Sequence, residues 1–244
     1  MQHIYCDEER GVDMPESGSV TGIFSGHGQV KTPTYKEQAY DLIKEAVLYQ
    51  KFRPDAIYSQ EAICQELGIS RTPVREALLE LQKEGYIRFC RGKGIQIVSL
   101  DDKAIHDILE MRIYQEMTAA ELAARRASQA DLDHIAACLA DNYRNLNSQD
   151  IILCYRLDHQ FHRAVALAAH NDLLYNTLDD VLNHYLRFEV LTVYQSNSSA
   201  NSIWEEHNTI YTAIKEHDAQ KARQAAETHL QDAYRRTLGN YWNE

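Results

Sequence analysis

Apolar and polar positions in the N-terminal part of the chain predict three helices. From residue 34 to 49, apolar side chains recur three and four positions apart, which is helical spacing. A second helix begins after Ser59, whose side chain suits an N-cap, and ends at Gly68. A third helix begins after Ser70, which we expect to cap it in the same way, and Gly85 follows its end.

Helical spacing then gives way to two short β-like runs. These are YIRFC and GIQIVSL, and the RGKG between them predicts a hairpin. Only Gly68 and Ile69 separate the second and third helices. Three helices with such a tight turn, followed by a hairpin, predict a winged helix-turn-helix domain over residues 33–100.

Glycine and proline, which interrupt helices, are absent from most of the remaining chain. No glycine lies between Ile95 and Leu238, and no proline follows Pro73. Short polar turns divide this stretch into six predicted helices. They cover roughly residues 102–126, 129–146, 150–169, 172–195, 200–216 and 218–238. We therefore predict a mainly α protein in which residues 101–240 form an all-α antiparallel bundle.

Composition indicates the cellular compartment in which we expect this protein. Residues 1–32 are rich in Gly, Ser and acids, which predicts a flexible N-terminal tail. The 5 cysteines contain no CxxC pair, which argues against a disulfide framework or a thiolate zinc site. No run approaches the ~20 apolar residues that cross a bilayer, and no secretion signal begins the chain. We expect a cytoplasmic protein without a membrane segment.

Charge is distributed unevenly along the chain. The net charge is −11, yet residues 31–100 carry 11 Lys and Arg against 9 Asp and Glu. Residues 101–244 carry 13 against 22. Affinity for DNA depends on local neutralisation of phosphates, so an acidic bundle is compatible with a DNA-binding head.

Basic residues of the predicted head are placed where they can reach DNA. Arg71, Thr72 and Arg75 lie in the first two turns of the third helix, and both arginines share one face. Such arginines can contact guanine edges or phosphates in the major groove. At the hairpin tip, Arg91, Gly92 and Lys93 would touch the neighbouring groove; these six residues are the predicted DNA contacts. The alternative is an amphipathic helix with solvated arginines.

A second group of candidate residues lies in the bundle. Asp158 and His162 are four positions apart and therefore share a helix face, whereas His159 points elsewhere. His207 and His229 are equally distant from the predicted turn at Asp218, which brings them to one level of an antiparallel hairpin.

One carboxylate and three imidazoles without a thiolate suit a borderline divalent ion: zinc first, or nickel, cobalt, manganese or iron. The alternative for the Asp158–His162 pair is a buried hydrogen bond. His184 is a rival candidate, because it follows the turn near residue 171 by about as much as Asp158 precedes it. We keep it as a pocket residue.

The head resembles a known family of bacterial regulators. The stretch SQEAICQELGISRTPVREALLELQKEGYIRFCRGKGIQIV is similar to the signature of the GntR family. That resemblance implies operator contacts by Arg71, Thr72, Arg75 and wing Gly92. The chain departs from the family where Glu61 replaces a common arginine, which puts the usual operator preference in doubt. Two half-sites related by symmetry imply a homodimer.

The bundle resembles the FadR-type ligand-binding (FCD) domain. The likeness rests on DHQFH at 158–162, HNDLL at 170–174, EEHNTIYTAIKEHDAQKARQAAETHL at 205–230 and ILEMRIYQEMTAAELAA at 108–124. In the metal-containing branch, positions matching Asp158, His162, His207 and His229 bind the ion. Arg112 matches an arginine that meets the carboxylate of a small organic effector; the alternative is a salt bridge between Arg112 and Glu116.

These observations predict a dimeric transcription factor, a repressor, that binds an operator in double-stranded DNA and responds to a small organic acid. One rival is a regulator for which the metal ion itself is the signal. Another is a helical metalloenzyme. A di-metal bundle needs several carboxylates, and the sequence offers only one, Asp158, at the predicted pocket positions. We therefore expect no enzyme activity.

Overall fold

A computed structural model describes residues 33–53, 56–189 and 197–241. The predicted tail, residues 1–32, lies outside the described residues, as does the predicted helical stretch 190–195. Within the described part of the chain, no helix is both long and apolar enough to cross a membrane.

Three helices build the head, as predicted. They are α1 (Tyr35–Leu48), α2 (Gln60–Leu67) and α3 (Arg71–Lys83). The Ser59 side chain caps α2 by accepting from the Ala62 amide, and Gly68 ends it with a left-handed φ of 64°. The prediction for Ser70 was wrong in one respect. Ser70 occupies the N-cap position of α3, but its side chain makes no capping hydrogen bond.

The head also contains a sheet of three strands, of which only two were predicted. β2 (Ile87–Cys90) and β3 (Gly94–Ile97) form the hairpin. β1 (Ile57–Tyr58) pairs antiparallel with the other side of β3. A Cβ on Gly94 would lie 2.1 Å from the Tyr58 carbonyl oxygen, so glycine is required for this pairing. With only two residues, β1 is too short to show the alternation of apolar and polar positions that identifies a strand in a sequence.

From Asp102 onward, all the regular secondary structure in the described residues is helical. The order of the helices is α4 (Asp102–Arg126), α5 (Gln129–Arg144), α6 (Ile151–Ala168), α7 (Asp172–Glu189), α8 (Asn197–Lys215) and α9 (Ala219–Tyr241). Small residues such as Ala120, Ala123 and Ala222 are fully buried and let the helices approach closely. Larger side chains, including Phe161 and Ile214, fill the remaining core.

The head packs directly on the bundle through α7. The Arg187 guanidinium donates to the Val98 carbonyl at the end of the wing and lies 5.2 Å from the Tyr86 ring. The ring of His184 stacks on Tyr86 at 4.8 Å, and Gln50 donates to the Arg187 carbonyl at 2.5 Å. Through these contacts α7 joins the two regions.

Candidate metal centre and nucleic-acid interface

The exposed face of α3 presents the residues predicted to contact DNA. Arg71, Thr72 and Arg75 are all exposed, and Arg71 keeps 73% of its side chain accessible. The opposite face of α3 is fully buried, which fixes the orientation of the helix. Its buried residues are Val74, Ala77, Leu78 and Leu81.

The tip of the wing is exposed as well. Arg91, Gly92 and Lys93 lie in the turn between β2 and β3. Gly92 has a φ of 70°, a left-handed conformation that glycine adopts without strain. The Lys93 amide donates to the Cys90 carbonyl at 3.0 Å and closes the turn. The hairpin therefore holds two cations on a short, ordered projection.

Glu61 has a specific neighbour on this face. Its carboxylate pairs with the Arg71 guanidinium, and Gln60 donates to the Arg71 carbonyl at 3.2 Å. Both residues of the ion pair are more than half exposed, so the pair contributes little to stability. Arg75 makes no ion pair with any described residue. The two arginines of one helix face thus have different surroundings.

The four predicted metal ligands meet in the bundle core. Asp158 and His162 come from α6, His207 from α8 and His229 from α9, and none is more than 4% exposed. The Asp158 carboxylate oxygens lie 3.5 Å from His162 Nε2 and 3.6 Å from His207 Nε2. One nitrogen from each of the three imidazoles lies within 4.8 Å of the others.

The hairpin of α8 and α9 accounts for this convergence. The chain reverses at His217, whose φ is 56°, and Asp218. His207 and His229 stand at matching distances on either side, and their ring centroids are 4.6 Å apart. His159 is buried but stacks near Tyr185, with ring centroids 6.2 Å apart, as expected for a residue that turns away from Asp158.

Two of the three imidazoles in the cluster have lowered pKa values, which favour the neutral form that keeps a lone pair. Burial lowers the pKa of His207 well below its usual value, and the neighbouring His229 lowers it further. Burial also lowers the pKa of His229. Burial alone would lower the pKa of His162, but the carboxylates of Glu116 and Asp158 together outweigh it and raise the value to about 9. His207 and His229 are therefore neutral at neutral pH, as metal ligands must be.

Unpartnered buried nitrogens are the observation that fits a metal ion. Both ring nitrogens of His207 and Nε2 of His229 are fully buried and have no hydrogen-bond partner among the described residues. Buried polar atoms without partners are costly and rare in folded proteins. A divalent cation at the centre of the cluster would engage Nε2 of each ring together with Asp158. The residues present therefore fit such an ion.

Two carboxylates beside the cluster were not predicted from the sequence to be partners of its histidines. Glu116 Oε2 lies 2.5 Å from His162 Nδ1, and Glu206 Oε2 lies 2.7 Å from His229 Nδ1. Burial alone would raise the pKa of Glu206, but the hydrogen bonds with His229 and Arg236 outweigh burial and lower it to about 2. The expectation that the pocket offers one carboxylate was wrong. Glu206 directly precedes His207 and therefore lies on a different face of α8. Because it is not three or four residues from any ligand, no helical pattern marked it as the partner of His229.

Arg112 forms the salt bridge that was the competing interpretation, and it also lies beside the histidine cluster. Arg112 is 2% exposed and points into the core beside His162, with Nη2 3.0 Å from His162 Nε2. Its Nε donates to Glu116 at 2.6 Å. Its guanidinium lies 4.3 Å from the Tyr185 ring centroid. The structure places His184 against Tyr86 of the head, away from the rings of the cluster.

Fold and site together define a class of protein, a winged-helix transcriptional regulator with a helical C-terminal domain. Residues 35–97 match the bacterial regulatory proteins of the gntR family, and residues 107–232 match the FCD domain. The second match alone covers more than half of the chain. The protein therefore belongs to the GntR family of DNA-binding regulators, in the branch with an FCD domain, and is not an enzyme.

Similar proteins agree with this assignment. The uncharacterized HTH-type transcriptional regulator YdhC of Bacillus subtilis is 28% identical over 201 residues, covering 82% of this chain and 89% of its own. The Glc operon transcriptional activator of Escherichia coli K12 is 28% identical over 193 residues, covering 70% and 76%. The solved structure of E. coli McbR/YncC shares the fold, with a TM-score of 0.76 at 17% identity, covering 86% of this chain and all of that one.

Proposed function

We propose that this regulator holds a divalent metal ion in its bundle and binds a small carboxylate effector beside the ion, and that the effector changes its affinity for an operator. As a homodimer it would place two heads on two half-sites of double-stranded DNA. In the simplest form it is a repressor that the effector releases. The Glc operon relative carries the name of an activator, so activation is the other outcome to test.

The buried histidine cluster carries this proposal. Three imidazoles and Asp158 converge from three helices, and both nitrogens of His207 and Nε2 of His229 lack a hydrogen-bond partner within the described chain. The set holds nitrogen and oxygen donors only, which suits zinc and equally nickel, cobalt, manganese or iron. Four protein ligands leave room for further oxygen ligands on an octahedral ion, so a carboxylate can complete the coordination.

Arg112 supports the choice of a carboxylate as effector. Its guanidinium is buried next to His162, and a planar fork of donors suits bidentate contact with a carboxylate. The Tyr185 ring lies against the guanidinium and limits its movement. We assign no effector contact to His184, because its stacking on Tyr86 makes it part of the junction with the head.

Helix α7 offers a physical route from the effector to the head. Tyr185 touches Arg112, while His184 and Arg187 on the same helix contact Tyr86 and Val98. A small displacement of this part of the helix would move both sets of contacts together. The effector must bind the two arrangements of the head unequally to have any effect on DNA binding.

Elemental analysis of purified protein tests the metal site. Wild type should contain about one divalent ion per chain, and His229→Ala should lose it because the α9 ligand is gone. His134→Ala, a change at an exposed histidine on α5, is the matched control and should keep the ion.

A thermal-shift screen of small carboxylates follows on the same proteins. An effector should raise the melting temperature of wild type and of His134→Ala but not of His229→Ala. If no acid stabilises wild type, the effector part of the proposal is wrong. If metal alone changes the affinity for DNA and no acid does, the ion itself is the signal.

A further inference from the structure

A narrow cleft leads from the surface of the bundle to the histidine cluster. Its rim consists of partly exposed residues from the end of α5, the turn after it, and the first halves of α6 and α8: Asn142, Asn145, Leu146, Cys154 and Trp204. His207, which is 1% exposed, also lines the cleft and forms its inner end. About 20 Å³ of the cleft is wide enough for a water molecule, which is room for about one.

Two helices carry residues of the cleft and ligands of the cluster on the same face. On α6, Cys154 lies four positions before Asp158, which lies four before His162. On α8, Ile203 lines the cleft and lies four positions before His207. Residues four apart share a helix face and are ~6 Å apart along the axis. The walls of the cleft therefore continue, about one helical turn further in, as the proposed ligands.

Charge along the cleft suits a cation. Burial raises the pKa of the Cys154 thiol, and the carboxylates of Asp150 and Asp158 raise it further. Cys154 thus lies between an exposed carboxylate and a buried one. Negative charge at a narrow entrance raises the local concentration of cations. Within the described part of the chain no residue of α4 lines the cleft, so Arg112 meets the cluster from a different helix.

We propose that this cleft is the passage by which the divalent ion enters and leaves the cluster, and that Cys154 and Trp204 set its width. This inference rests on the proposed metal site. The Trp204 indole donates to the Leu139 carbonyl at 3.2 Å, and its ring centroid lies 5.0 Å from that of Tyr143. These contacts hold Trp204 in the wall. A wall residue acts on the ion only in transit, so a change there alters the rates of binding and release by one factor and leaves the affinity unchanged.

Stopped-flow measurements with Co²⁺ and a coloured chelator test the passage on the full chain without any effector. Cys154→Phe should slow both binding and release about tenfold, because the larger side chain raises the barrier to transit. The dissociation constant, as the ratio of the two rates, should stay within about twofold of wild type. Gln160→Phe, at an exposed position of the same helix nearer to His162, is the matched control and should leave both rates unchanged.

Trp204→Ala is the opposite change. Removal of the largest side chain from the rim should speed both binding and release about tenfold, again with little change in affinity. Tyr211→Ala removes a partly buried aromatic residue of the same helix that does not line the cleft, and it should leave the rates as in wild type. Circular dichroism establishes that each variant is folded.

Alkylation of the folded protein gives a second measurement that does not depend on the folding of Cys154→Phe. N-ethylmaleimide should slow Co²⁺ binding and release in wild type but not in Cys154→Ala, because the label would fill the cleft. Mass spectrometry should find the label on Cys154, and its absence there would contradict an open rim.

The pattern of rates and affinities decides between the passage and the site. A change in the dissociation constant as large as the change in one rate would show that Cys154 and Trp204 shape the metal site, which would overturn the passage. Unchanged rates in both variants would overturn it as well. If wild type binds no Co²⁺, the proposed metal site itself fails; if it binds at rates that neither wall residue affects, only the passage fails.

Discussion

The predicted DNA-binding face of α3 and the candidate metal cluster use similar side chains in opposite surroundings. On α3, Arg71 pairs with Glu61 in solvent, where both side chains remain more than half exposed. In the bundle, Arg112 pairs with Glu116 at 3% and 8% side-chain exposure. Water weakens the first pair and lets its members separate at little cost. Burial makes each member of the second depend on its partners, since a lone buried charge is strongly destabilising.

The two regions therefore differ in how easily their contacts can change. The surface charges are able to exchange partners when DNA arrives, because solvation replaces a lost contact. The buried groups form one connected network in which the loss of any member affects the others. The proposed effector site is of the buried kind, and the predicted contacts with phosphates or bases are of the exposed kind.

The largest expected effect comes from breaking the buried network at Asp158. Asp158→Ala should lower the free energy of unfolding of metal-stripped protein by about 3 kcal/mol, because the charge of His162 loses a buried partner. Denaturation by urea in the presence of chelator measures this. Asp141→Ala breaks the exposed pair with Arg144 and should leave stability nearly unchanged. Equal effects of the two changes would contradict the comparison.

Removal of arginines from α3 should affect DNA binding rather than stability. We expect Arg75→Ala to lose about 1–3 kcal/mol of binding free energy to the operator. Arg71→Ala should lose less, because Glu61 already occupies part of the Arg71 guanidinium. Fluorescence anisotropy with labelled operator duplex at several salt concentrations measures both variants. A larger loss for Arg71→Ala would show that Glu61 positions Arg71 for DNA.

The serines that precede α2 and α3 allow a comparison of N-caps within the head. Ser59→Ala should lower the free energy of unfolding by about 1 kcal/mol, because it removes the cap on the Ala62 amide. Ser70→Ala should cost clearly less, since the Ser70 side chain caps nothing in this structure. Matched thermal or urea denaturation of the two variants gives the difference. Equal losses would show that Ser70 does cap α3 in solution.

The smallest effect on stability is expected at Glu61. Glu61→Gln removes a mostly exposed ion pair and should change the free energy of unfolding by less than about 1 kcal/mol. Its affinity for random-sequence duplex should rise, because one negative charge leaves the face that meets phosphates. Glu66→Gln, an exposed change on the same helix away from Arg71, is the control. Identical DNA affinities of the two variants would contradict this role.

Local patterns predicted most of the helices because each begins and ends with its own signals. Ser59 and Gly68 bound α2, and α4 begins and ends within a residue of its expected limits. The short strand β1 was missed because its partner β3 lies more than 30 residues away. Pairing of that kind depends on tertiary contacts such as Gly94 against Tyr58.

Patterns along the sequence were enough to predict the order of head and bundle, the basic face of α3, and the convergence of His207 with His229. Helical rise and period alone fix those relations along one helix or across one hairpin. Three features became visible only in the folded protein. Glu116 and Glu206 bond to imidazoles of the cluster, Arg112 lies both in a salt bridge and beside the cluster, and His184 lies at the junction with the head. These depend on which helices become neighbours and on rotamers selected by packing, and no spacing along the chain encodes either.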